Sequence, residues 1–212
     1  NKMRVEKLAF VSGSYETACE ADKNAFYRCA SLCHSVTGNY PDLMGDATEK
    51  AIIEYLRARS VDYTRGVEQT VPFSSERRMM SVKEGDTAYH KGGFDVILSK
   101  CNRFLENGTV FPLNAAKRRE ISVKCENMAN SALRVIAFAF SEAPGKIREE
   151  NMVFISAAGL FDPPKKGAAD AVEECRRAGI RVIMITGDHL ATAVAAAERI
   201  GIGGGATTGE KL

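Results

Sequence analysis

The segment FSSERRMMSV, residues 73–82, places one aromatic ring ahead of two adjacent cations. Phe73 offers a flat face on which a planar base can stack, and Arg77 or Arg78 can meet negative charge. The segment also alternates in the manner of a strand. A single phenylalanine in a strand usually belongs to the core, so these residues alone leave both interpretations open.

A lysine followed by two glycines ends the next predicted strand. These residues are Lys91, Gly92 and Gly93. Because glycine lacks a β-carbon, a phosphate or a ring can come close to the cation and to bare backbone at this point. A surface turn is the alternative interpretation, and the segment taken by itself favours it.

An apolar run at residues 181–186 predicts a buried strand of an α/β sheet. The residues at its carboxyl end are Thr186, Gly187 and Asp188. Open α/β sheets bind ligands beyond the carboxyl ends of their strands. The pattern therefore predicts phosphate chemistry there. A fourth segment, GDATE at residues 45–49, pairs Asp46 with Glu49 in the spacing of a reciprocal helix cap, and that structural role is the one the pair alone favours.

Composition bounds the kind of protein that presents these residues. With 212 residues, 45% hydrophobic and 26% charged, the chain is globular and long enough for one large domain plus part of another. A net charge of +2 excludes the overall field of a nucleic-acid binder, and we predict no nucleic-acid partner. Six cysteines without a CxxC pair indicate a reduced, cytosolic setting. Cys29, Cys33 and His34 lack a second cluster to complete a metal site, so no metal ligand is predicted.

Two regions, which differ in the order of their predicted helices and strands, must position the candidate residues. Residues 1–160 predict an α+β layer, a mostly antiparallel sheet with packed helices. Helices are predicted at 23–33, 47–59 and 114–132, and strands at 4–11, 68–72, 78–82, 87–91, 134–140 and 152–160. Residues 161–212 change to helix (165–178), strand (181–186) and helix (191–200), the rhythm of a partial α/β unit.

Longer motifs give these regions a family resemblance. FDPPKK at 161–166 and CRRAGIRVIMITGDHLATA at 175–193 closely resemble the phosphorylation domain of P-type cation-transporting ATPases, which is a haloacid-dehalogenase-like unit. GDATE at 45–49, PFSSERRMMS at 72–81, KGG at 91–93 and LRVIAFA at 133–139 resemble that family's nucleotide-domain motifs, in the family's order. The pattern looks most like the subgroup that contains calcium pumps.

The resemblance implies an ATP pocket in residues 1–160. Its residues would be Glu49, Phe73, Arg78, Met80, Lys91, Gly92 and Arg134. In the family, the residue matching Phe73 stacks on adenine, Lys91 lines the base pocket, and Arg134 reaches toward the phosphates. Ser75 departs from the pattern, because calcium pumps usually carry an arginine there.

The resemblance also implies that this chain is part of a larger protein, a membrane pump. Thr186, Gly187 and Asp188 would help to receive the γ-phosphate and position Mg²⁺ in the complete protein, whose aspartyl-phosphate acceptor segment is not in this sequence. The chain would be the cytosolic portion of an integral membrane pump, binding ATP without hydrolysing it. Its partners would be the membrane helices, the actuator domain and the rest of the phosphorylation domain. By analogy, the transported ion would be Ca²⁺.

Two other functions remain open from the sequence. A soluble haloacid-dehalogenase-like phosphatase would also use the Thr-Gly-Asp strand, although no Asp-x-Asp nucleophile precedes it. A free-standing nucleotide sensor would keep the pocket and perform no chemistry.

Overall fold

One eight-stranded sheet with helices packed on it makes up most of the molecule. The computed structural model describes residues 2–63, 66–186 and 190–208. The strands are β1 (Arg4–Phe10), β2 (Gln69–Ser74), β3 (Met79–Glu84), β4 (Thr87–Gly93), β5 (Cys101–Glu106), β6 (Thr109–Pro112), β7 (Arg134–Glu142) and β8 (Met152–Phe161). The helices are α1 (Glu20–Leu32), α2 (Ala47–Arg57), α3 (Phe94–Lys100), α4 (Ala115–Asn130), α5 (Ala168–Arg177) and α6 (Leu190–Arg199).

Seven strands of the sheet follow the order β2-β3-β4-β7-β8-β5-β6, and the eighth, β1, pairs with β8 beside this path. Strand β8 is central, because it pairs with β7 on one side and, on the other, with β5 through its first half and β1 through its second. The β5–β8 pair is parallel and the other pairs are antiparallel. This architecture confirms the predicted α+β layer with a mostly antiparallel sheet.

Helices cover both faces of the sheet and divide the core in two. Phe26 of α1 and Ile53 of α2 pack with Met80 on one face. On the other face, Met128 of α4 packs with Met79. Successive residues of a strand point to opposite faces, so the two adjacent methionines of β3 enter the two cores.

Strand β8 is buried almost throughout, which explains its apolar sequence MVFISAAGLF. Gly159 lies where helix α4 approaches the sheet. A β-carbon there would stand 2.7 Å from Leu133 Cδ1 and 3.3 Å from Met128 Sδ. Glycine therefore lets α4 and the start of β7 pack closely on the central strand.

The structure departs from the predicted α/β unit after residue 161. Residues 181–186 form no strand, and Ile183 and Ile185 are 70% and 94% exposed. The predicted strand is wrong here because a strand needs a hydrogen-bonded neighbour, and none is present in the part of the chain that the structure describes. Helix α5 has no buried residue. The described residues after 161 therefore do not show a haloacid-dehalogenase-like unit, and both that unit and the division of the chain at residue 160 stay predictions.

Helix α3 and strands β5 and β6 were not predicted from the sequence. They insert between β4 and α4 and add a hairpin at one edge of the sheet. Across residues 2–63, 66–186 and 190–208, none of the helices combines the length and apolar character that a bilayer crossing requires.

Candidate functional site

The neighbouring strands β2, β3 and β4 place Phe73, Met80 and Lys91 side by side, in a row that crosses the sheet. Met80 of β3 pairs with Lys91 of β4, and Lys91 pairs with Phe138 of β7. On the other side of β3 the register of β2 shifts between Val71 and Ser74, so Pro72 and Phe73 lie opposite the single residue Met80. Neighbouring strands are about 4.8 Å apart. The strand of Phe73 therefore lies about 10 Å from that of Lys91.

Phe73 is exposed, with 56% of its surface accessible. It lies on β2, which ends the sheet, and in a bulge, where one strand carries an extra residue and bends. The alternative interpretation of Phe73 as a core residue is therefore wrong. Its ring is available to stack on a flat ligand.

Lys91 forms a buried ion pair with Glu49 in the first turn of α2. Lys91 Nζ lies 2.7 Å from Glu49 Oε1, and the two side chains are only 8% and 10% exposed. The second carboxylate oxygen, Oε2, accepts a hydrogen bond of 2.8 Å from the backbone N–H of Ser35. Both charges are thus compensated, and they present a polar end to the row that begins at Phe73.

Arg78 lies in the turn between β2 and β3 with a left-handed backbone, φ 54°. Its guanidinium makes two contacts with the Asp95 carboxylate, 2.7 Å from Nη1 to Oδ2 and 3.1 Å from Nη2 to Oδ1. Both side chains are about half exposed. Gly92 faces this turn, and a β-carbon on it would lie 2.6 Å from the Arg78 carbonyl oxygen. Only glycine lets β4 pass the turn this closely.

Arg134 begins β7 beside the amino end of α2. Its Nη1 donates to Thr48 Oγ1 at 3.3 Å. Asp46 caps the helix by accepting from the Thr48 N–H at 2.8 Å. Burial raises the pKa of Asp46, but hydrogen bonds from Thr48 and the charge of Arg134 outweigh it and lower the pKa overall. The partial positive charge of this helix end and the arginine together favour an anion nearby.

A cavity of about 820 Å³ opens beside Arg78 and Arg134. It runs from the start of β7 toward the segment after residue 161, where Asp162 and Met184 contribute to its wall. Small-molecule pockets commonly measure about 300–1,000 Å³. A polyphosphate chain would therefore find space in this cavity, beside Arg78 and Arg134.

The predicted site residues fall into three groups. Seven of them surround the row or the cavity: Glu49, Phe73, Arg78, Met80, Lys91, Gly92 and Arg134. Thr186 is exposed and is not among the described residues that line the cavity. Gly187 and Asp188 lie outside the described residues.

Two residues at this site were missed by the sequence analysis. Asp95 holds the Arg78 guanidinium, and Thr48 accepts from Arg134. Thr48 lies inside the GDATE segment, next to Glu49, and Asp95 follows the glycine pair by two residues. The signal that points to Asp95 is an acidic side chain close to a predicted phosphate-binding cation.

Comparison with known proteins gives a consistent result. The family model for the P-type ATPase cytoplasmic domain N matches residues 22–167. Calcium-transporting ATPase 1 of Bacillus cereus is 36% identical over 81% of this chain and 21% of its own length. Calcium-transporting ATPase 1 of Lactococcus lactis is 33% identical, covering 100% of this chain and 27% of its own. A calcium-transporting ATPase of Listeria monocytogenes is 30% identical over 95% of this chain and 26% of its own. The chain thus spans about a quarter or less of the length of these relatives.

Proposed function

The chain belongs to the P-type ATPase family, with residues 22–167 matching the cytoplasmic domain N, and on this premise we propose that it binds ATP for a calcium-transporting pump. The observation that carries the proposal is the row that joins the exposed Phe73 ring to the buried Lys91–Glu49 pair. A flat apolar platform followed by paired donors and acceptors is the chemistry that recognises a purine.

The row and the cavity beside it have separate tasks in this proposal. Adenine stacks on Phe73 and directs its polar edge toward Lys91 and Glu49. The phosphates extend toward Arg78 and Arg134, where the amino end of α2 adds its partial positive charge. Met80 lies on β3, between the strands of Phe73 and Lys91, and forms the base of the site with a fully buried side chain.

The transfer of the γ-phosphate, which follows nucleotide binding, belongs to residues outside this pocket. We assign Thr186, Gly187 and Asp188 to the reception of the γ-phosphate in the assembled protein. Among residues 2–63, 66–186 and 190–208, no three acidic, histidine or cysteine side chains converge into a metal site. In the complete protein, Thr186, Gly187 and Asp188 would also help to position Mg²⁺, and the chain by itself is expected to hold the nucleotide without turning it over.

The whole protein in this proposal is an integral membrane pump, and this chain is a cytosolic portion of it. Its partners are the membrane helices, the actuator domain and the remainder of the phosphorylation domain. The relatives' names support Ca²⁺ as the transported ion. Similarity to these pumps along 81–100% of the chain favours this function over a free-standing sensor or a soluble phosphatase.

Calorimetric titration with ATP tests the proposal. We expect a dissociation constant in the micromolar to millimolar range, about −4 to −8 kcal/mol. Phosphate release measured in the same samples separates this function from a phosphatase. Steady hydrolysis of ATP by the isolated chain would contradict the assignment.

A further inference from the structure

The two adjacent arginines of the β2–β3 turn have different partners. Arg78 faces Asp95 beside the cavity, whereas Arg77 turns back onto the strand that carries Phe73. We propose that Arg77 and Glu149 are positioning residues for the adenine platform: Arg77 holds the backbone next to Phe73, and Glu149 holds Arg77. The inference rests on the proposed nucleotide site and adds two residues that act through Phe73.

The Arg77 guanidinium bridges two groups. Its Nη1 lies 2.6 Å from Glu149 Oε1, and its Nη2 donates to the carbonyl oxygen of Pro72. The side chains of Arg77 and Glu149 are 31% and 20% exposed, so the pair is partly shielded from water. A planar guanidinium can hold both partners at once because its N–H groups form a fixed fork.

The backbone on either side of Phe73 is held in two different ways, and after Phe73 the carbonyl oxygen of Ser74 accepts from the Arg78 N–H at 2.7 Å. Before Phe73, strand β2 lies at the end of the sheet and pairs, among the described strands, only with β3. The ladder of β2 is interrupted between Val71 and Ser74, and Pro72 has no N–H to donate. The hydrogen bond from Arg77 to the Pro72 carbonyl therefore fixes the peptide that directly precedes Phe73.

Glu149 is itself anchored to the interior of the sheet. Its Oε1 accepts a hydrogen bond of 2.8 Å from Ser81 Oγ. Ser81 Oγ lies 2.8 Å from His90 Nδ1, and His90 Nε2 lies 2.9 Å from Ser141 Oγ. Ser81 and His90 are completely buried. A continuous chain of polar contacts thus runs from the interior of β7 to the exposed edge strand.

The electrostatics keep this chain fixed at neutral pH. Burial lowers the pKa of His90 to about 4, although the charge of Glu149 acts in the opposite direction and that of Lys100 adds to the lowering. His90 is therefore neutral at pH 7, and the Glu149 carboxylate is left to pair with Arg77. Lys100 Nζ donates to the Glu149 carbonyl oxygen at 3.2 Å and thereby fixes the backbone of the loop between β7 and β8, which carries Glu149.

A comparison of AMP and ATP tests the roles of the two arginines. We expect Glu149→Gln and Arg77→Lys each to weaken AMP and ATP binding by a similar factor, about tenfold, as for one lost hydrogen bond to a charged group. Arg78→Ala should weaken ATP much more than AMP. Glu84→Gln is the matched control, because Glu84, at the end of β3, also pairs with an arginine, Arg28 of α1.

A double-mutant cycle with Phe73→Ala gives the sharpest result. If Glu149 acts through the platform, Glu149→Gln has no further effect on AMP affinity once Phe73 is gone. Independent losses that multiply in the double variant would overturn the inference, as would a Glu149→Gln protein with unchanged AMP affinity. Thermal unfolding checks that each variant folds. If Glu149→Gln does not fold, Arg77→Lys replaces it in the same double-mutant cycle with Phe73→Ala.

The outcome also separates this inference from the proposed function. An unaltered chain that binds neither AMP nor ATP overturns both. Binding that depends on Phe73 but not on Arg77 or Glu149 leaves the nucleotide site intact and overturns only the positioning role.

Discussion

Lys91 and Glu49 meet across 42 residues of sequence, with Lys91 Nζ 2.7 Å from Glu49 Oε1 and both side chains about nine-tenths buried. The contact ties α2 to β4 in the middle of the candidate site. A residue proposed to recognise the base therefore also supports the fold. This double role affects how substitutions at the two positions are to be interpreted.

Replacing Lys91 by alanine should destabilise the domain as well as weaken ATP binding. The change leaves the Glu49 carboxylate buried without its cation, which typically costs about 3–5 kcal/mol. Urea unfolding measures the loss. The double variant Glu49→Gln/Lys91→Met removes both charges and should be more stable than Lys91→Ala. Equal stability of Lys91→Ala and the unaltered chain would contradict the structural role of the pair.

Replacing Phe73 by alanine should weaken ATP binding without destabilising the domain, unlike the change at Lys91. The ring is 56% exposed, so the free energy of unfolding should change little. Loss of a stacking surface for one base costs about 1–3 kcal/mol, which is about 5- to 150-fold in ATP affinity. Phe111 on the other edge strand, 40% exposed, provides the control. An ATP affinity that falls equally in Phe111→Ala would show that the effect is not local to the site.

Local signals in the sequence account for much of the fold. Helix α2 follows from the Asp46 cap and the apolar spacing of Ile52 and Leu56, which the structure buries. The β5–β6 hairpin was missed although Asn107-Gly108 is a strong turn signal. Both residues have positive φ, 52° and 75°, as that turn requires. Strand β6 has only four residues, all exposed, and therefore lacks the alternating pattern that identifies a strand.

Long-range contacts set the limit of what the sequence could predict. The motif order predicted that Glu49 and Lys91 serve one pocket, but their ion pair depends on how α2 docks on β4. Similarly, the apolar residues 181–186 have the composition of a strand, and strand formation also needs a partner, which composition does not reveal.

Replacing Asp95 by asparagine should strengthen ATP binding. The carboxylate occupies the Arg78 guanidinium and repels phosphate, and the pair is half exposed. Pairs of this kind are worth up to about 1 kcal/mol, so ATP affinity should rise by about two- to fivefold and AMP affinity less. The gain should shrink as salt increases. Asp86→Asn, in the turn at the far end of β3 and β4, is the control. Weaker ATP binding by Asp95→Asn would mean that Arg78 needs this carboxylate in order to reach the ligand.

His90 should make the fold sensitive to mild acid. Its pKa is about 4 in the folded chain because it is buried, against an ordinary value of 6.5. As pH falls, the unfolded chain takes up this proton first, so stability is full above about pH 6.5 and declines toward pH 4, by about 3 kcal/mol in total. Asp46, whose pKa is lowered from 3.8, acts only below this window. Urea unfolding between pH 4 and 7 measures the slope. A His90→Gln variant with the same slope would exclude His90 as its source.

The central claim is that the row from Phe73 to Lys91 binds an adenine nucleotide. Titration of the ¹⁵N-labelled chain with ATP, followed by NMR, tests it directly. The account predicts saturable shifts concentrated at Phe73, Met80, Lys91 and the first turn of α2, with much smaller shifts on the β6 edge of the sheet. Inorganic triphosphate at the same concentration should leave Phe73 unmoved. Absence of shifts around Phe73 and Lys91 at about 10 mM ATP, well above a millimolar dissociation constant, would contradict the account.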